Sequence, residues 1–209
     1  VLGVSTGMPD SSSPWTPKEL SWLSFNERVL QEAADPNVPL IQRVRYMGIF
    51  SNNLDEFFRV RVADVRRLAT YSTPSRRDEF KELLAAIQDR VRELQARFDQ
   101  VYRDNLGALS QRHIYLVNEK QLDDNQLEWI RRYFIDRLQP ELAPIILDDA
   151  FPLPELNDHS IYLAVKAQTG EQVRYGMLEV PTARLPRFVP IPGRKGKRGH
   201  VLIVLENII

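Results

Sequence analysis

The sequence contains no cysteine among its 209 residues. This absence excludes a disulfide framework, a thiolate metal site and a cysteine nucleophile, and it suits a reducing cytoplasm. Net charge is absent too, because 28 Lys and Arg balance 28 Asp and Glu, so no global field draws the chain to nucleic acid or anionic membrane. The longest apolar runs, such as residues 201–205, are far shorter than the roughly 20 residues of a membrane span. Residues 1–15 lack the basic start and apolar stretch of a signal peptide.

The first half of the chain has the apolar spacing of helices. Thr16 and Glu19, with Pro17 between them, predict a capping box at the start of a first helix. A second helix is predicted over residues 39–50. Ser51-Asn52-Asn53 then predicts a break, after which Asn53 and Glu56 form the capping box of a third helix.

The most regular pattern in the chain follows Ser75. Apolar residues alternate steps of four and three, which predicts a long helix with a coiled-coil-like seam. The members of this stripe are Phe80, Leu84, Ile87, Val91, Leu94, Phe98 and Val101. Together these patterns predict an all-α helical bundle over residues 16–108, preceded by a flexible tail over residues 1–15.

Beyond residue 108 the pattern changes. Residues 113–117 predict a short strand, and Asp123 with Gln126 predicts a capped helix. Three stretches rich in β-branched and aromatic residues predict strands, and Thr169-Gly170-Glu171 predicts the hairpin turn between the first two. These strands are residues 160–167, 172–180 and 200–205. We therefore expect a partial α+β domain over residues 109–209 with a mainly antiparallel sheet, truncated at its C-terminal end because residues 201–209 read as an apolar strand running off the chain.

No catalytic constellation is found among the residues. His113, His159 and His200 are far apart in sequence, and each is expected to be a partly exposed histidine at a strand edge. The glycines do not form a phosphate loop of either common type. No metal site is predicted.

One segment is locally basic. Between Glu179 and Glu206 the chain has six cations and no acidic residue, namely Arg184, Arg187, Arg194, Lys195, Lys197 and Arg198. A basic loop of this kind suits a polyanion, since charge-assisted contacts and counterion release favour binding. A solvated hairpin loop explains the same pattern, and both interpretations remain open.

Asn53 also allows two interpretations. As part of Ser51-Asn52-Asn53-Leu54-Asp55-Glu56 it can act as an ordinary helix cap. An Asn amide also offers both a donor and an acceptor, so at an exposed helix start it could contact a nucleobase or a phosphate oxygen.

Several motifs together resemble the N-terminal domain of the bacterial polyphosphate kinase family. They are ELSWLSFNERVL at residues 19–30, PLI at 39–41, GIFSNNLDEFF at 48–58 and VRV at 60–62. Further along, Phe151-Pro152, SIYLAV at 160–165, EVP at 179–181 and LPRFV at 185–189 resemble the beginning of that family's second, or head, domain. Nearly all of the chain after residue 16 is covered.

The resemblance implies an enzyme that transfers the terminal phosphoryl group of ATP reversibly to polyphosphate, with Mg²⁺ and a phosphohistidine intermediate. The family's phosphorylated histidine lies in C-terminal domains, so His113, His159 and His200 do not take that role, and the isolated chain is expected to be inactive. In the family, the second Asn of the SNNLDEF motif contacts ATP. It corresponds to Asn53, or to Asn52 if the register differs by one.

The resemblance further implies ATP, ADP and inorganic polyphosphate as partners, a homo-oligomer, and a cytoplasmic location that can include the inner face of the cell membrane. Arg194, Lys195, Lys197 and Arg198 are then candidate polyphosphate contacts. No cofactor is expected to bind this chain tightly, and no nucleic acid is expected because the charge is balanced and no known binding motif is present. As an alternative, the long helix makes the chain chiefly an assembly module with a basic polyanion-binding loop.

Overall fold

The computed structural model describes residues 16–147, 154–193 and 198–209. The chain divides into two compact units, Val1–Ala108 and Leu109–Ile209. The first unit is helical and the second combines helices with sheets, so the predicted fold class is confirmed. The predicted tail at residues 1–15 lies outside the described residues.

From residue 16 onwards, where the structure is described, the helical unit contains four α-helices. They are α1 (Lys18–Ala34), α2 (Leu40–Phe57), α3 (Ala63–Tyr71) and α4 (Pro74–Gln111). The 38 residues of α4 make a rod of about 57 Å at about 1.5 Å per residue. The apolar sides of the helices meet in one core, to which α1 contributes Leu23 and Leu30, α2 contributes Phe50 and Phe57, and α4 contributes a stripe of residues including Leu94.

Two predictions of helix starts were wrong. The residue that caps α1 is Pro17, and neither it nor Thr16 supplies a side-chain hydrogen bond to the first turn. Glu19 is buried, and its carboxylate lies 3.9 Å from the Lys18 ammonium group. The break at residues 51–53 does not exist, because α2 continues through them to Phe57. Asn53 is therefore inside a helix, where it cannot act as a cap.

A π-helix over Phe58–Val62 joins α2 to α3 and adjusts the register of the buried stripe. Phe57 is buried, and in a regular α-helix Arg61, four residues later, would occupy the same face. The wider π-turn instead buries Val62, five residues after Phe57, and leaves Arg61 exposed. The extra residue therefore keeps a charged side chain out of the core.

The second unit contains one α-helix and six strands in the described residues. The helix α5 spans Asp124–Tyr133 and continues as a π-helix, Phe134–Leu138. The strands are β1 (Ile114–Val117), β2 (Pro144–Leu147), β3 (Tyr162–Thr169), β4 (Gln172–Glu179), β5 (Phe188–Ile191) and β6 (His200–Val204). Sequence analysis missed β2 and β5. The final strand ends at Val204 and is followed by a 3₁₀-turn, Leu205–Asn207, so a strand over residues 201–209 was wrong.

The strands form two three-stranded sheets instead of one. In the first, β6 lies between β1 and β5, parallel to β1 and antiparallel to β5. In the second, β4 lies between β2 and β3 and is antiparallel to both. Thr169 pairs with Gln172, so the predicted hairpin turn is confirmed, and Gly170 adopts a φ of +63° there.

The capping box predicted for α5 is also confirmed. The Asp123 carboxylate accepts from the Gln126 backbone N–H at 3.0 Å, and Gln126 Oε1 accepts from the Asp123 backbone N–H at 3.1 Å. The Gln126 side chain is buried, and its Nε2 donates to the Pro192 carbonyl at 2.8 Å. One side chain thus caps α5 and fastens it to the residues after β5.

Gly199 is required where β6 begins beside β1. The backbone N–H of His200 donates to the His113 carbonyl at 2.8 Å, and Gly199 has a φ of +143°. A Cβ at Gly199 would lie 2.5 Å from the His113 carbonyl oxygen and 2.8 Å from the Tyr115 ring. Only glycine fits without a shift of one strand.

We expect Gly199→Ala to destabilise the chain more than the matched control Gly170→Ala. A Cβ at Gly170 meets nothing within 4 Å, so the control carries only the left-handed backbone cost of about 1–2 kcal/mol. Gly199→Ala adds the clash with His113 and Tyr115. Urea unfolding followed by circular dichroism measures both, and equal losses would contradict the close approach.

Candidate nucleotide-contact site

Asn53 lies half-buried on α2 and is joined to α1 through Asn26. Its Nδ2 donates to Asn26 Oδ1 at 3.0 Å. Asn26 Nδ2 in turn donates to the backbone carbonyl of Phe50 at 3.1 Å. Among the described residues nothing donates to Asn53 Oδ1, so this oxygen and one Nδ2 hydrogen are available to a ligand.

The residues around this pair are held by the core of the helical unit. Asn26 is 0% exposed and lies between the buried Leu23 and Leu30 of α1. One turn beyond Asn53, the Phe57 ring stacks on Trp22 of α1 at 4.6 Å between centroids. The α1–α2 contact that holds Asn53 is therefore packed and hydrogen-bonded on both sides of the amide.

Sequence analysis missed Asn26 as a member of the site. The signal was present, because Asn26 falls three residues after Leu23 and four before Leu30, on the apolar stripe of α1. An amide on such a stripe predicts a buried hydrogen bond. Its partner on another helix could not be read from spacing along the chain.

The neighbouring side of α2 contributes to a groove that Asn53 does not line. This groove, of about 560 Å³, lies between α2 and α4, and its lining includes Phe50, Phe98, Asp55 and Asp99. Asp55 is paired with Arg59 at 3.1 Å, and the Asp99 carboxylate would repel a phosphate chain. The lining of this groove therefore does not match the phosphates of a nucleotide.

The candidate polyphosphate contacts lie in the second unit, and most are outside the described residues. Arg194, Lys195 and Lys197 fall there, whereas Arg198 is described and exposed. In the described part of the chain Arg198 has no acidic partner.

Two other cations of the basic segment are already paired. Arg184 contacts Glu141 at 2.6 Å, and Arg187 contacts Glu206 at 2.6 Å. Burial is the largest influence on the Glu206 pKa and acts to raise it, but the hydrogen bonds and charge of Arg187 and a backbone hydrogen bond together lower the pKa below its usual value. Of the three described cations of the segment, Arg198 is therefore the one without an acidic partner among the described residues.

The histidines carry no chemistry that the described residues support. All three are exposed, and His113 and His159 adopt φ values of 61° and 63° at turns. Residues 16–147, 154–193 and 198–209 hold no group of three or more His, Cys, Asp or Glu that could bind a metal ion. Within the same ranges, no helix is both long and apolar enough to cross a membrane.

The apolar stripe of α4 packs inside its own unit. Ile87, Val91 and Leu94 belong to the same core as residues of α1 and α2, and Leu84 and Phe98 pack against that core. The heptad spacing thus has an explanation within the bundle, and this observation does not favour the assembly interpretation.

The described residues thus form a helical bundle, in which Asn26 and Asn53 join α1 to α2, followed by a small α+β unit. Comparison with known proteins gives the family. The family description "Polyphosphate kinase N-terminal domain" matches residues 15–117, and "Polyphosphate kinase middle domain" matches residues 125–209.

Individual relatives agree with these matches. The chain is 49% identical over 194 residues to a polyphosphate kinase of Vibrio vulnificus and 44% identical to one of Escherichia coli, in each case over 92% of this chain. A crystal structure of polyphosphate kinase from Porphyromonas gingivalis matches 95% of this chain and 30% of its own, with a TM-score of 0.80 and 33% identity. The chain belongs to the polyphosphate kinase family. It spans 28% of the length of these curated relatives.

We predict that Asn53→Ala destabilises the helical unit by about 1–3 kcal/mol, because it leaves the buried Asn26 Oδ1 without a donor. Asn52→Ala is the matched control, since Asn52 is exposed and gains the same helix propensity. The difference between the two free energies of unfolding in urea isolates the hydrogen bond. Equal stabilities would show that the bond contributes nothing.

Proposed function

We propose that this chain forms the part of a polyphosphate kinase that grips the nucleotide. In the proposed reaction the terminal phosphoryl group of ATP passes reversibly to the end of a polyphosphate chain, and ADP is released. The proposal is supported by the family and by one observation on the Asn53 amide. Its Nδ2 donates to Asn26, while its Oδ1 accepts from none of the residues that the structure describes.

A binding role fits what phosphoryl transfer requires. The reaction depends mainly on positioning and on stabilising charge, so a domain that orients the nucleotide can serve chemistry performed by groups elsewhere. The nucleophilic histidine and the metal-binding chemistry implied by the family are assigned to the rest of the enzyme, and Mg²⁺ arrives with ATP. The isolated chain should therefore bind without catalysing transfer, and homo-oligomerisation is expected only for the whole enzyme.

We predict that Asn53→Ala in the full-length enzyme raises the KM for ATP by about 3- to 10-fold, the loss expected for one neutral hydrogen bond. Gln42→Ala, an exposed amide on the same helix, serves as the control. Steady-state kinetics with saturating polyphosphate measure the effect, at a temperature where each variant is folded. If Asn52→Ala raises the KM and Asn53→Ala does not, the contact belongs to Asn52.

We also propose that residues 194–198 of the basic segment contact polyphosphate. Arg184 and Arg187 are neutralised by acidic partners, whereas Arg198 is exposed, and Arg194, Lys195 and Lys197 adjoin it in sequence. A cluster of cations on one loop would release counterions when a polyanion binds.

We predict that replacing Lys195, Lys197 and Arg198 by Gln weakens polyphosphate binding. The slope of the logarithm of the binding constant against the logarithm of the salt concentration should become shallower by about 2–3, roughly one for each lost contact. Replacing Arg112, Lys120 and Arg131, three exposed cations of the same unit, changes net charge equally and is the control. Affinity for a defined polyphosphate at several salt concentrations gives both slopes. An unchanged slope in the first variant would contradict the proposal that this loop contacts polyphosphate.

A further inference from the structure

Asn26 is the most deeply buried polar side chain of the helical unit. It is 0% exposed and lies in the core that α1, α2 and α4 share. Burying an amide in such surroundings is strongly unfavourable unless its polar groups are hydrogen-bonded. Asn26 uses both ends of its amide on α2, one for the Phe50 carbonyl and one for Asn53.

The three groups form a chain with only one possible direction. The backbone carbonyl of Phe50 can only accept, so Asn26 must turn its NH₂ group towards it. Asn26 Oδ1 then faces Asn53, and because this oxygen can only accept, Asn53 must donate to it from its own NH₂ group. The backbone carbonyl of Phe50 thereby fixes the orientation of the Asn53 amide, which leaves its Oδ1 and one Nδ2 hydrogen for a ligand.

We propose that Asn26 is a positioning residue that fixes the Asn53 amide with its Oδ1 directed to the nucleotide. An isolated Asn at this position could rotate its amide by half a turn and present either end. The hydrogen bond from Asn53 to the buried Asn26 removes that freedom. The entropy of ordering the Asn53 side chain is therefore lost when the chain folds and not when the nucleotide binds. This inference rests on the proposed contact between Asn53 and ATP.

The fixed direction also limits what the ligand can offer to this oxygen. Asn53 Oδ1 is an acceptor and so are ionised phosphate oxygens, so the two cannot form a hydrogen bond. The matching groups of a nucleotide are N–H and O–H donors, which belong to the base and the ribose. Asn26 would therefore direct the Asn53 oxygen towards the nucleoside part of ATP, while the remaining Nδ2 hydrogen can meet an acceptor of the base, the ribose or a phosphate.

The test is a double-mutant cycle in the full-length enzyme, read as the KM for ATP. Asn53→Ala and Asn26→Leu should each raise this KM by about 3- to 10-fold. The double variant should match Asn53→Ala alone, because Asn26 acts only through Asn53. The kcat and the KM for polyphosphate should stay near the values of the unmodified enzyme.

Asn105→Leu controls for the loss of a buried amide. Asn105 is 2% exposed in the same helical unit, and its Nδ2 donates to the Ala33 carbonyl at 3.1 Å without touching Asn53. We expect this variant to lose stability while its KM for ATP stays unchanged. If it raises the KM as much as Asn26→Leu does, the effect is general loosening of the bundle and the proposal is overturned.

The cycle separates this inference from the proposed function. No effect of Asn53→Ala on the KM for ATP would refute both. A raised KM in Asn53→Ala with a normal KM in Asn26→Leu, or effects that multiply in the double variant, would overturn the role of Asn26 alone.

Asn26→Ser replaces Asn26→Leu if the latter does not fold. A serine at this position can donate to the carbonyl one turn earlier, as Ser24 does to Leu20 at 3.1 Å, and it is too short to hold Asn53. The same rise in KM is expected, and a normal KM for ATP would overturn the proposal.

Discussion

A buried amide has to satisfy both its donor and its acceptor, and the α1–α2 contact is organised around that requirement at Asn26. An apolar residue would pack there more cheaply, because it brings no polar group out of water. Asn26 instead ties α1 to two groups of α2, the Phe50 carbonyl and the Asn53 side chain, which are less than one turn apart. Such a pairing specifies one register between two helices, since sliding either helix by a residue would leave a polar group unpaired in the core.

The same register explains why a π-helix follows α2. With α2 fixed by Asn26 and by the stacked rings of Trp22 and Phe57, the next turn would bring Arg61 into the core. Inserting one residue into the turn exposes Arg61 and buries Val62, after which Val65 and Ala69 continue the apolar stripe on α3. The irregularity is thus a consequence of two well-packed helical segments whose stripes are out of phase by one residue.

The sequence predicted most reliably what depends on neighbours along the chain. The helix start at Asp123 and Gln126 and the turn at Gly170 need only local groups, and both were confirmed. Asn53 and Glu56 show the same type of capping pattern, but the prediction of a cap there was wrong because α2 continues through Asn53. The Asn53 amide instead donates to Asn26 on α1, 27 residues away. Strands β2 and β5 each contain a proline, Pro144 and Pro190, which argues against a strand in the sequence, whereas the equally short β1 contains none. The family resemblance pointed to Asn53, whereas the role of Asn26 required the fold.

The chemistry available to this chain follows from what its polar groups are already doing. Arg184 and Arg187 are engaged by Glu141 and Glu206, and both ends of Asn26 are hydrogen-bonded inside the core. Groups held in this way can orient a ligand but cannot exchange protons or attack phosphorus. The outward half of the Asn53 amide has no hydrogen-bond donor among the described residues, and it is uncharged and unreactive. In the proposed contact with ATP, one rigid neutral hydrogen bond would contribute modestly to affinity, and because its direction is fixed on folding, no ordering cost would remain on binding.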